Sequence, residues 1–166
     1  MKRIICIIFI FVIFCIIHFY GNDRTMCKRY LQIYNWTPIS CESIRTINHQ
    51  DLVDGKKRYH VIFNEVLTQN KKKLACNKEF IVYRYELEET VFGETLQAYI
   101  LFSGEEIIDV RVSCAAVFST QQLKKYGIDA DSYQGLNAMD KNIYFPISAT
   151  VEEIENGLLK SLKNNL

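Results

Sequence analysis

An α+β domain built on an antiparallel β-meander of four to five strands is what this 166-residue sequence predicts. Three observations carry that reading. Four consecutive runs alternate apolar and polar residues with the period of a strand. Two capping-box signatures, Ser119 with Gln122 and Thr150 with Glu153, mark helix starts late in the chain. With 49% hydrophobic and 13% aromatic residues, and only 2 Pro and 7 Gly, the composition is that of a packed core and not of a linker or a disordered chain.

Taken in order, Asp23 is placed to cap a helix over 24–34, with Met26, Tyr30, Ile33 and Tyr34 on one stripe. Asn35-Trp36-Thr37-Pro38 ends it, since Pro38 biases Thr37 toward an extended conformation. A weak strand falls near Cys41–Ile47, and the polar stretch Asn48–Lys57 reads as a loop. The alternating runs are Arg58–Leu67, Glu79–Leu87, Glu94–Phe102 and Ile107–Phe118.

The last pair sets a register problem. Leu96, Ala98, Ile100 and Phe102 share one face, as do Ile108, Val110, Val112, Cys114, Ala116 and Phe118. A two-residue turn would pair Phe102 with Ile107 and set Ile100 against Asp109. A three-residue loop, Gly104–Glu106, or an equivalent bulge, keeps the two apolar faces together, because one residue of slip inverts every side chain.

After the meander, Ser119, the staple pair Phe118 and Leu123, and Gly127 delimit a short helix over 120–126. Residues 128–144 read as irregular. A C-terminal amphipathic helix opens at Thr150, with Val151, Ile154, Leu158, Leu159 and Leu162 on one face. Helices on one face of a curved sheet give an outline that resembles cystatin-like and NTF2-like folds, a likeness of architecture that carries no function.

The first 21 residues stand apart. Ile4–Tyr20 carries no charge, follows Lys2 and Arg3, and as a helix is about 25 Å long, close to a hydrocarbon core. It reads as a membrane anchor through residues 4–20, or as a cleaved export signal. The positive-inside rule then places one domain, residues 22–166, outside the cytoplasm, either anchored or secreted. The cut site is poor, with Phe19 and Gly21 at the small-residue positions. Neither Cys6 nor Cys15 follows the small residue that lipidation needs.

Charge excludes one class of partner. The chain has 20 basic and 19 acidic residues; with Lys2 and Arg3 in the leader, the remainder carries one more acid than base. Such a domain has no broad field for nucleic acid.

In an oxidising compartment Cys27, Cys41, Cys76 and Cys114 are disulfide candidates, preferentially Cys27 with Cys41 and Cys76 with Cys114. Their spacing fits no zinc signature. Asp129, Asp131 and Asp140 miss the calcium-loop pattern at Tyr133 and Gln134. No metal or cofactor site is expected.

Two constellations bear on chemistry. Cys41 with His49 in the run His49-Gln50-Asp51 has the residue types of a thiol nucleophile and its base. Tyr83, Tyr85 and Tyr99 make an aromatic strip, most of it expected in the core. The leading expectation is therefore a membrane-anchored or exported envelope protein acting as a non-catalytic binding or assembly module with a protein partner. A small hydrolase using Cys41 and His49, or a carrier of a small apolar ligand, is the alternative.

Overall fold

Alternation along the middle of the chain becomes a five-stranded antiparallel sheet of order β1-β2-β3-β4-β5, a plain meander. The computed structural model describes residues 23–53, 58–69, 79–104, 106–115, 120–127 and 142–164. In chain order these form helix α1 (helical over 23–33), β1 (Pro38–Asn48), α2 (His49–Val53) and α3 (Arg58–Gln69). They continue with β2 (Glu79–Val91), β3 (Glu94–Ser103), β4 (Glu106–Ala115), α4 (Thr120–Lys125), β5 (Asn142–Pro146) and α5 (Val151–Asn164). The expected α+β meander is thus the observed fold.

The register between β3 and β4 reconciles both turn readings. Ser103 pairs with Glu106 and Phe102 with Ile107, as a tight turn requires, but Leu101 then pairs with Asp109. The step makes Ile108 the extra residue of a β-bulge. Beyond it Ile100 faces Val110 and Ala98 faces Val112, so the two apolar faces coincide. The β2–β3 turn also has two residues: Phe92 and Gly93 both have positive φ (55° and 84°), the geometry that matches strand twist in a two-residue hairpin.

Two cores form, one on each side of the sheet. On the first face Tyr83, Tyr85, Leu87, Leu96, Ala98, Ile100, Phe102, Val110 and Val112 are buried beneath Cys27 and Leu31 of α1, Trp36, Leu123 of α4, and Ile154 and Leu158 of α5. On the second, Ile47, Phe80, Val82, Tyr99 and Leu101 are covered by Leu52 of α2 and by Ile62, Phe63 and Leu67 of α3. Helices therefore lie on both faces of the sheet, whereas the sequence pattern places them on one.

That second layer is the main correction. Arg58–Leu67, expected as a strand, is helix α3, with a kink where Phe63 leaves helical geometry. Its apolar residues fit both periods. Tyr59, Val61 and Phe63 alternate, yet Tyr59, Ile62, Phe63, Val66 and Leu67 make a complete helical stripe, and these are the ones packed on the sheet. Within the expected loop Asn48–Lys57, His49–Val53 is helical. Within the expected irregular stretch, Asn142–Pro146 is a fifth strand that pairs Val112 with Phe145 and Cys114 with Ile143.

At α1 the expected stripe is rotated. Cys27 and Leu31 are its buried positions, Met26 and Tyr30 pack at their flank, and Ile33 and Tyr34 face outward. Asp23 is itself helical and buried, accepting a hydrogen bond from the Tyr83 hydroxyl at 3.4 Å. At the C-terminal helix the capping box is present in both directions. Thr150 N–H donates to Glu153 Oε2 at 2.7 Å, and Glu153 N–H to Thr150 Oγ1 at 3.2 Å. Gly127, at φ 71°, closes α4 as expected, while Phe118, Ser119 and the side chain of Gln122 lie outside the described residues.

Of the expected membrane-spanning, disulfide-stapled protein, the disulfide part is corrected, and the described residues lend the membrane part no support. Among the described residues no helix is long and apolar enough to cross a membrane. The apolar run 4–20, on which the anchor or signal reading fell, lies outside the described residues. Cys27 and Cys41 carry free thiols, so the expected Cys27–Cys41 bridge is not formed. Cys76 lies outside the described residues. An even count of cysteines says nothing about whether burial alone accounts for them, as it does for Cys27.

Candidate functional site

Cys41 and His49 do not meet. They sit eight residues apart along one extended strand and its continuation, a separation of about 26 Å at 3.3 Å per residue. They also serve opposite faces: Cys41 packs at the edge of the first core, while the His49 ring lies 6.3 Å from Phe80 in the second. The Cys41 thiol sits 3.8 Å from the Ser43 carbonyl oxygen, and burial pushes its pKa up, which disfavours the thiolate a nucleophile needs.

The thiols nearby are structural. Burial, aided by the Asp23 carboxylate, pushes Cys27 from 9.0 up to about 12, and burial pushes Cys114 up to about 11. The Tyr85 hydroxyl, also raised by burial, donates to the Arg24 carbonyl oxygen at 3.1 Å. This has a consequence at alkaline pH. The unfolded chain releases the Cys27 proton near pH 9, and the folded chain holds it to about 12. The native state then binds more protons than the unfolded state, so stability is full below pH 9 and falls as pH rises through that window. Thermal unfolding followed from pH 8 upward should show this loss, with a shallower slope in Cys27→Ala. Equal slopes in the two proteins would rule the assignment out.

A second polar cluster is also accounted for. Arg111 Nε lies 2.8 Å from Asp109 Oδ2, and its Nη2 lies 2.9 Å from Glu65 Oε2, which ties α3 to β4. Burial pushes the Asp109 carboxyl up, against the two bonds it accepts from Arg111 and from the Val110 N–H. Tyr83, Tyr85 and Tyr99 are all buried, so they present no outer aromatic platform. Among the described residues no group of three or more His, Cys, Asp or Glu side chains is placed to hold a metal ion.

What remains is a cleft of about 350 Å³ where three segments meet: Ile33–Trp36 at the end of α1, Glu89 on β2, and residues 148–151 at the start of α5. The sequence builds each wall. Asn35 takes φ 63° and closes α1 with paired bonds, Trp36 N–H to the Leu31 carbonyl at 3.1 Å and Asn35 N–H to that of Gln32 at 3.0 Å. This is the Schellman stop, which Asn tolerates next best to Gly. It turns Trp36 inward, where the indole Nε1–H donates to the Ile147 carbonyl at 2.8 Å and locks α1 to the β5–α5 turn.

Glu89 is clipped to the same junction. Its Oε1 accepts the Thr37 N–H at 2.8 Å, and the Thr37 carbonyl accepts the Glu88 N–H at 2.8 Å. Glu89 Oε2 is buried and has no hydrogen-bond partner. At the mouth of the cleft Ile33 is 74% exposed and Tyr34 38%, and Ile39, two residues beyond Thr37, is 60% exposed. Among the described residues these are the large apolar side chains that the fold leaves in water.

Sequence reasoning did not single out this site. Ile33 and Tyr34 pass for core residues on a plausible stripe, and Glu89 sits among other glutamates of a strand end. The Asn35-Trp36-Thr37-Pro38 stop was the available signal, since a helix end that buries a lone tryptophan also fixes what lies beside it. No known protein family, curated protein or solved structure matches this chain.

Proposed function

We propose that this domain is a non-catalytic binding module that engages a protein partner through the cleft between α1 and α5. The observation that carries it is the cleft itself: a preformed concavity of about 350 Å³ whose rim, Ile33 and Tyr34, is the apolar surface left exposed beside it. Exposed apolar side chains clustered at a concavity are what contact sites look like. The wide separation of Cys41 and His49 weighs against the hydrolase reading. A carboxylate in the lining weighs against a carrier of purely apolar ligands.

Affinity capture with the whole chain and with Ile33→Asp tests the proposal. Ile33 is exposed, so the substitution should leave stability within about 0.5 kcal/mol. A partner retained by the parent and lost by the variant is the expected result. Identical capture by the two proteins, or none by either, would reject the cleft as a contact site.

A further inference from the structure

Resting on that reading, we infer that the cleft takes a lysine or arginine side chain of the partner, seated on Glu89. Glu89 is the one charged residue in the lining, and its two oxygens differ: Oε1 is used by the Thr37 N–H, while Oε2 is buried and unpaired. A buried carboxylate oxygen without a donor is costly, and the groups that repay it best are cationic donors. The rest of the site suits the same occupant. The (CH₂) stem of Lys or Arg packs along apolar surface, which Ile33, Ala149 and Val151 supply. Tyr34 and Trp36 also line the cleft, and aromatic rings attract a cation. Glu152 and Glu153, in the first turn of α5, add negative potential near the cleft.

Oε2 is buried in the unliganded chain, so seating the head group on it requires the cleft lining to shift. A side chain projecting from a larger partner fits an open cleft of this size, with Ile33 left to contact the flanking residues.

Trp36 is the only tryptophan, so its indole N–H gives a single unambiguous NMR resonance inside the site. The full-length chain is titrated to millimolar concentration with N-acetyl-lysine methylamide, and separately with the norleucine counterpart, which keeps the stem and lacks the charge. The parent is compared with Glu89→Gln, which retains an acceptor for the Thr37 N–H and so preserves the fold.

The expected result is a shift of the Trp36 resonance that is about tenfold more sensitive to the lysine probe, with that preference lost in Glu89→Gln. Equal responses to both probes, or a lysine preference that survives in Glu89→Gln, would overturn the cation assignment while leaving the cleft as a contact site if Ile33→Asp still abolishes capture. Silence of the resonance toward both probes overturns the assignment as well. If Ile33→Asp capture is then also unchanged, the binding proposal falls with it.

Discussion

Ile62→Ala should destabilise the protein by about 3 kcal/mol, a lowering of the unfolding midpoint by roughly 6–12 °C for a chain of this size. As a strand, Arg58–Leu67 would set Ile62 on the face with His60, away from Tyr59 and Phe63. As helix α3 it turns Ile62 onto the second face of the sheet, where it is 3% exposed and packs in one cluster with Leu52, Phe63, Phe80 and Val82. Truncation there removes buried methyl groups and leaves a cavity between two elements that cannot both follow. Gln69→Ala, at an exposed position of the same helix, serves as control and should stay within about 0.5 kcal/mol. Chemical denaturation of the two variants decides between the geometries. A neutral Ile62→Ala would mean that α3 does not pack as described.

Phe102→Ala should cost more, about 3–5 kcal/mol. Phe102 is fully buried at the centre of the first core and meets Tyr83 edge to face, with ring centroids 6.0 Å apart. It also sits at the step where the β3–β4 register changes, opposite Ile107. The aromatic pair adds to the area it buries, and β3 is hydrogen-bonded on both sides, so the sheet cannot close over the gap. Phe102→Leu should recover most of the loss, because a smaller apolar side chain still fills part of the volume. A loss below about 1 kcal/mol for the alanine variant would show that Phe102 does not pack in the first core as described.

Both expectations concern stability, whereas the cleft concerns recognition, and the two are built from different residues. The cores use apolar side chains that the fold fully covers. The cleft uses what is left over when α1 stops: Ile33 and Tyr34 past the last buried turn, and a glutamate whose second oxygen has nothing to bind.

How much of this could be read from the residues alone follows the range of each interaction. The meander was legible because alternation is a local signal that repeats over every strand of it, and the bulge was legible because two well-formed apolar faces admit one register. The Thr150–Glu153 box and the Gly127 stop were legible because caps are formed within four residues. The second layer was not. Tyr59, Ile62, Phe63, Val66 and Leu67 satisfy a helix while Tyr59, Val61 and Phe63 satisfy a strand, and only the far face of the sheet, with Phe80, Val82 and Leu101, selects the helix.

The same limit applies at the site. From the sequence by itself came the fold class and the end of the first helix. Which face of α1 looks inward, whether Cys27 and Cys41 are bonded or merely buried, how far Cys41 stands from His49, and which glutamate is left with an unpaired oxygen were decided by tertiary structure. Each depends on contacts between residues tens of positions apart, such as Thr37 with Glu89 and Trp36 with Ile147, and no local pattern in the chain encodes those partners.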